Sequence, residues 1–219
     1  MLETCFGCDG ARLAHGIGDQ PGDSLRPYPV GDLDMYSPTS PPRMNLINRR
    51  LEVERRYENL RRLTYREAEH VLAAAGITAG LRGIDASALD ASTLWVDRRV
   101  AWPWHSMADD FRRGHPDRFE LAIWCQDVLC GLALGRPSPS PSHLSLYYME
   151  GNPDPAQPLC KKVTAVTLTA LNAYAAALGK RELRLVEPLQ QLIPFYCGPN
   201  FGFTLVEPKR EASYCRRST

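Results

Sequence analysis

Between residues 117 and 207 the spacing of apolar residues changes several times, and that succession restricts the fold more than any other feature of the chain. After Pro116, Phe119, Leu121 and Ile123 alternate with Glu120, Ala122 and Trp124, which predicts a strand. Gln126-Asp127 then intervenes before a second apolar run, Val128 to Leu134, so the two runs read as a β-hairpin. A Pro/Ser loop, Arg136 to Ser142, leads into a third strand, His143 to Glu150, ended by Gly151-Asn152-Pro153. From Val163 to Leu178 the period becomes helical and Gly179 closes it. A strand at Glu182 to Val186, a short helix near Leu189 to Tyr196 and a strand at Gly202 to Val206 follow. The order β-β-β-α-β-α-β predicts an α/β domain, a twisted mixed sheet with helices on both faces.

Upstream the text is different. Residues 1–43 hold six of the 18 prolines and six of the 16 glycines with no apolar period to compensate the cost of ordering, and read as a flexible leader. From Asn45 to Ala75, Leu46, Val53, Tyr57, Leu60 and Thr64 fall within about 60° of one another on a helical wheel. Thr64-Tyr65-Arg66-Glu67 fits a capping box, which predicts a division near Leu63 and hence an N-terminal helical hairpin or kinked pair over residues 44–76, with Gly76 as the stop. Gly76 to Ser92 reads as a connector with a helical turn at Ala86 to Leu89, Thr93 to Val96 as a short strand, and Met107 to Arg113 as a helical turn. One domain over residues 44–219, with its core at 117–207, is the expected organisation.

Arg49-Arg50, Arg55-Arg56 and Arg61-Arg62 suggest nucleic-acid binding at first sight, yet they point in three directions about 120° apart on the wheel and form no stripe. Glu52 and Glu58, four residues before Arg56 and Arg62, make a solvated, ion-paired helix face the better reading. A net charge of +1 gives no global attraction to nucleic acid or membrane, no apolar run is long enough to span a bilayer, and a cytoplasmic location is the default expectation. The seven cysteines read as reduced thiols; Cys5 and Cys8 have half of a zinc ribbon's spacing but no second pair, so no metal is expected. His105 and His115 lack ligand spacing, and no Ser-His-Asp or phosphate-loop motif supports a hydrolase or an ATPase.

The predicted order, with its punctuation, resembles the GNAT-type N-acetyltransferase superfamily over about residues 117–207. In that family the central strand is followed by a loop of pattern Gln/Arg-x-x-Gly-x-Gly/Ala whose amides hold the pyrophosphate of acetyl-CoA. The corresponding stretch here is Gln157-Pro158-Leu159-Cys160-Lys161-Lys162-Val163, with Cys160 and Lys162 in place of the small residues. The resemblance implies that Gln157, Leu159, Cys160, Lys161, Lys162 and Val163, with Tyr148 and Met149 of the central strand, bind acetyl-CoA as co-substrate. Two of the chain's four lysines stand in this loop, where their charge would offset the missing glycines. The close, Ile193-Pro194-Phe195-Tyr196 then Asn200-Phe201-Gly202-Phe203, is similar to the family's Phe-Tyr…Gly-Phe signature, with a turn lengthened by Cys197 to Asn200. It implies that Tyr196 protonates the departing thiolate, which a phenol can do because its pKa of about 10 exceeds that of a thiol. The acceptor is an amine on a small molecule or a protein. Glu150, at the end of the central strand, is the candidate base and Glu120 the runner-up. A homodimer is compatible with this reading, and a non-catalytic module that binds CoA or a protein partner is the alternative to it.

Overall fold

The computed structural model describes residues 43–219 of the chain; the Cys5–Cys8 pair and, Arg43 aside, the Pro/Gly-rich leader lie outside them. The chain opens with α1 (Arg43–Ala74), followed by β1 (Gly80–Arg82), α2 (Ala86–Thr93) and α3 (Trp104–Gly114). Then come β2 (Phe119–Cys125), β3 (Val128–Pro137), β4 (His143–Gly151), α4 (Val163–Ala177) and β5 (Glu182–Val186). A turn of 3₁₀ helix, Gln190–Leu192, runs into α5 (Ile193–Tyr196), and β6 (Thr204–Val206) and β7 (Tyr214–Ser218) end the fold. The seven strands form one sheet in the order β1-β2-β3-β4-β5-β7-β6, antiparallel throughout except for the parallel pair β4–β5.

Helices cover both faces, as the sequence predicts. On one face α1 and α4 enclose a core of Tyr65, Ala68, Leu72, Phe119, Leu121, Ile123, Leu144, Leu146, Met149, Val166, Leu171 and Tyr174, to which Tyr196 of α5 also belongs. On the other, α2 and α3 pack Leu89, Trp104 and Ala108, with Trp95 of the segment between them, over Ala122, Trp124, Leu132, Leu134 and Tyr148. Alternation along β2 accounts for its share of both cores: odd residues from Phe119 to Ile123 face α4, and even ones from Ala122 to Trp124 face α3.

The predicted helical hairpin is instead one continuous helix of 32 residues. Thr64 does not cap a new helix. Its Oγ1 donates within the helix to the carbonyls of Leu60 (3.1 Å) and Arg61 (2.9 Å), so the hydroxyl is satisfied without a break. The buried seam simply continues through Tyr65, Ala68 and Leu72 at helical spacing. Arg61 also departs from the solvated-face reading. It is 3% exposed, and its guanidinium donates to Glu54 (3.1 Å) and to the carbonyls of Pro116 (3.0 Å) and Arg118 (3.2 Å). Thr93 to Val96 is the end of α2 and an irregular segment rather than a strand, because Asp85 caps α2 by accepting from Ala88 N and commits the chain to a helix through Thr93.

Two glycines set how the layers meet. A Cβ at Gly135 would stand 2.4 Å from the carbonyl oxygen of Ser145, so only glycine allows β3 to approach β4 at that point. A Cβ at Gly131 would stand 2.6 Å from Cγ1 of Val163, so this glycine lets the first residue of α4 seat on β3. The start of α4 is thereby fixed beside the C-terminal end of β4.

Candidate functional site

The sheet has two register shifts, one between β2 and β3 at Ile123/Trp124 and one in the pairing of β4 with β3. Leu134 pairs with Tyr148 but Gly135 pairs with Leu146, so Tyr147 is an extra residue opposite no partner. The consequence is a change of phase. Leu144 and Leu146 face the α4 core, whereas Tyr148, two residues on, faces α3, and Met149 takes over on the α4 side. Without the bulge, Leu146, Tyr148 and Glu150 would share a face.

The parallel pairing of β4 with β5 covers only His143 to Leu146 against Glu182 to Leu185. Beyond Leu146 the strand continues through Tyr147 to Gly151, paired with β3 alone among the described residues. Every second residue of this stretch therefore presents its N–H and C=O to the gap beside β5. The stretch ends where Asn152 is tied to β3, its N donating to Cys130 O and its Nδ2 to Leu129 O (2.9 and 3.0 Å). The loop to α4 begins there.

That loop does not present all of its residues outward. Gln157 is 4% exposed and its Oε1 accepts from Leu159 N at 2.8 Å; Leu159 and Val163 are buried in the α4 core. Cys160 N and Lys162 N are engaged in turns with the carbonyls of Gln157 (3.1 Å) and Leu159 (2.9 Å). Cys160 is half-buried, and Lys161 and Lys162 are the exposed side chains of the predicted set. Lys162 caps α4 without a side-chain hydrogen bond to the first turn, so a 15-residue helix points its N-terminal amides toward the loop. Lys161 adopts φ +64°, a conformation that suits glycine and strains a lysine. The loop therefore keeps one glycine-like turn, at the residue between the two positions where the family pattern has small residues.

Tyr148 and Met149 are both buried, the ring of Tyr148 lying 5.0 Å from Trp102 and 5.9 Å from Phe111 at steep angles. Burial, with the neighbouring Tyr147, pushes the Tyr148 phenol above its ordinary range. Both side chains are committed to the cores on either face of the sheet, Tyr148 against α3 and Met149 against α4.

Glu150 is 2% exposed and faces α3. Arg98 grips it with two bonds, Nε to Oε1 at 2.9 Å and an Nη to Oε2 at 2.5 Å, while Trp104 Nε1 donates to Oε2 at 2.6 Å. Arg98 and Trp104 were not signalled by the sequence: one lies in an irregular segment and the other opens a helix, with no spacing that links either to residue 150. Glu120 is engaged differently. Its Oε1 accepts from Arg118 at 2.8 Å and lies 3.8 Å from Arg61, while Oε2 stands 3.5 Å from Arg112 Nε without a hydrogen bond. Glu54 completes this cluster through Arg118 at 2.8 Å. The cluster borders a cleft of about 410 Å³ between α1, β1 and β2.

Tyr196 closes α5 and is 1% exposed, packed in the α4 core with its ring 5.5 Å from that of Phe195. α5 follows from the end of β5 at which the two parallel strands part. Tyr196 and Glu150 thus lie on opposite faces of the sheet, one among the α4 core and the other against α3. No group of three or more His, Cys, Asp or Glu side chains suited to a metal occurs among the described residues, and no helix among them is long and apolar enough to cross a membrane.

No protein-family model matches the chain, and no curated protein matches it. Solved structures do. The chain is similar to the PaiA N-acetyltransferase of Thermoplasma acidophilum in complex with coenzyme A, at 12% identity and TM-score 0.46, over 65% of this chain and 100% of that one. It is similar to the ribosomal-protein-S18-alanine N-acetyltransferase of Escherichia coli, at 14% identity and TM-score 0.46, over 64% and 91% of the two chains. An aminoglycoside 6'-N-acetyltransferase of Enterococcus faecium aligns at 14% identity and TM-score 0.47, over 64% and 96%. The chain's own topology speaks more directly: a hairpin, a bulged central strand that parts from its parallel neighbour, and then helix, strand, short helix and strands make this a divergent GNAT-like fold.

Proposed function

We propose that the chain is an acetyl-CoA-dependent N-acetyltransferase in which an acceptor amine attacks the thioester directly within a ternary complex. The observation that carries this reading is the parting of β4 from β5 after Leu146, which leaves the main chain of Tyr147 to Gly151 along a gap that ends at the N-terminus of α4. The pantetheine arm of CoA contains two amides and can pair with such an edge as an added strand does. Its pyrophosphate would then reach the loop before α4, where helix amides and the exposed Lys161 and Lys162 favour an anion. Catalysis would rest on holding thioester and amine together and on moving two protons. In this reading Tyr196, carried by α5 from the parting end of β5, protonates the thiolate.

With both oxygens held by Arg98 and Trp104, the side chain of Glu150 fixes the segment before α3 to the end of β4. We infer that Glu150 positions this segment, and that the amine loses its proton to water or to a group of the acceptor itself.

The same engaged carboxylate and the glycine-poor loop favour a second reading, a CoA-binding module without turnover. Titration calorimetry with acetyl-CoA and with CoA, followed by incubation with radiolabelled acetyl-CoA and fractionated cell extract, separates the two. Binding with label transferred to an amine supports the enzyme; binding without transfer to any fraction supports the module; no binding overturns both.

A further inference from the structure

Directly after Tyr196, the exposed Cys197 brings its Sγ to 4.0 Å from the Sγ of Cys215. Cys215 is fully buried in β7, opposite Leu185 of β5 on one side and Leu205 of β6 on the other. The two sulfurs are in van der Waals contact, about 2 Å farther apart than a disulfide requires. Cys215 is fixed by the strands on either side of it. Cys197 belongs to the turn Cys197 to Asn200, which is anchored by Cys197 N to Ile193 O (2.8 Å) and Gly202 N to Gly198 O (2.9 Å). A bond would therefore require Cys197 and its turn to move, rather than Cys215.

We propose that Cys197 and Cys215 are an oxidative modification site, in which a peroxide converts the exposed thiol and the buried one into a reversible disulfide. The Cys197 thiolate attacks one peroxide oxygen, the O–O bond breaks and hydroxide leaves, giving a sulfenic acid. The Cys215 sulfur then attacks the Cys197 sulfur, the S–O bond breaks, and the departing hydroxide takes the Cys215 proton as water. Two thiols thus give up two electrons to one peroxide, with two waters formed. The division of roles follows from exposure, since only Cys197 meets solvent. Burial pushes the Cys215 thiol up to about 12, which keeps it protonated until the sulfenic acid forms beside it.

The bond would draw the end of α5 toward β7. Tyr196 sits one residue before it, and its carbonyl accepts from Phe203 N at 3.1 Å, so the aim of its phenol changes with the turn. This consequence rests on the acetyl-transfer reading; formation of the bond does not.

The test uses the full chain, treated with a small molar excess of hydrogen peroxide, quenched with an alkylating agent and digested with trypsin without reductant. A linked pair of peptides, 185–209 joined to 211–216, is expected in most molecules, and dithiothreitol should remove it. Cys197→Ser and Cys215→Ser should each abolish it. Because the buried serine of the second variant can impair folding, Cys197→Ser, at an exposed position, is the decisive control. Overoxidation of Cys197 to sulfinic acid without the linked pair overturns the proposal, as does a linked pair that joins Cys197 to a different cysteine. In a second arm, oxidised protein should transfer acetyl groups at least tenfold more slowly than reduced protein, with recovery on reduction and no such loss in Cys197→Ser. Absence of transfer in both states refutes the acetyl-transfer reading and leaves the disulfide to be judged on the peptides alone.

Discussion

Glu120 and Glu150 are buried carboxylates on the same face of the sheet, both held by arginine, and only one is near the gap. Glu150 stands at the end of β4, where a reacting amine would come, but Arg98 and Trp104 occupy both of its oxygens. Glu120 keeps an oxygen without a hydrogen bond at the edge of a cleft, but it lies on β2, two strands from β4 and thus about 10 Å across the sheet. A general base needs a free lone pair and proximity to the proton it removes. Each site supplies one of the two conditions. Burial of an acid beside a functional strand is therefore no guide to catalysis until its partners are known.

The comparison is most sharply tested by stability. Removing the Glu150 carboxylate leaves Arg98 and the buried Trp104 indole without their acceptor, and Glu150→Ala should cost about 3–5 kcal/mol. For a chain of this size that lowers Tm by roughly 6–20 °C. Glu120→Ala should cost less, about 1–3 kcal/mol, because Glu54 still balances Arg61 and Arg118. Equal losses in thermal melts would show that the single grip on Glu150 and the shared network around Glu120 are energetically alike. Arg98→Met combined with Glu150→Met should recover much of the loss, since an apolar pair leaves no buried charge.

If neither carboxylate takes part in proton transfer, the role proposed for Tyr196, on the opposite face, is the one left to test. Tyr196→Phe keeps the ring's packing in the α4 core and removes only the hydroxyl. Turnover should fall roughly 10²-fold, or about 2.7 kcal/mol, with acetyl-CoA affinity almost unchanged, the pattern of an interaction made in the transition state. Full turnover in this variant would mean that thiolate departure is assisted by water, and that catalysis here is positioning alone.

The succession of elements from β2 to β6 was legible because β2 and β5 alternate, β3 and β4 are apolar runs bounded by turn residues, and α4 has a long apolar period. β5 has the boundaries read from sequence, Glu182 to Val186. What escaped reading had too little pattern to carry a signal. β1 buries only Leu81, and β7, Tyr-Cys-Arg-Arg-Ser, has Cys215 as its one fully buried residue, so its place between β5 and β6 is set by pairing rather than by apolar spacing. Thr64 to Glu67 imitated a capping box in mid-helix because the same hydroxyl can bond backward as well as forward. In the site, Glu150 and Tyr196 were nameable from a family pattern, but Arg98 and Trp104 reach Glu150 across more than 40 residues of sequence, a relation that a single sequence does not display.

Charge at the loop before α4 gives a smaller effect than the changes at the sheet. Lys161 and Lys162 are exposed at the start of a helix whose amides point at the loop. Replacing both by Ala should weaken acetyl-CoA binding at least tenfold, or about 1.4 kcal/mol, as read by calorimetry. The loss should shrink as salt rises, since exposed charges are screened. Unchanged affinity would place the pyrophosphate away from this loop and separate the gap beside β5 from the anion site.

The smallest effect is also the one that most directly tests how the loop does without glycine. Lys161 holds φ +64°, a conformation that costs a side-chain-bearing residue about 1–2 kcal/mol. Glycine removes that strain but adds freedom to the unfolded chain, which costs about 0.5–1 kcal/mol. Lys161→Gly should therefore be stabilising by about 0.5–1 kcal/mol, a rise in Tm of roughly 1–4 °C. The same variant loses one of the two loop charges, so it should bind acetyl-CoA more weakly than the parent while melting later. Lys161→Ala separates the two contributions: it loses the charge and keeps the strain, so it should bind as weakly as Lys161→Gly without gaining stability. If Lys161→Gly melts earlier than the parent, the lysine side chain supports the turn through contacts that outweigh its backbone strain.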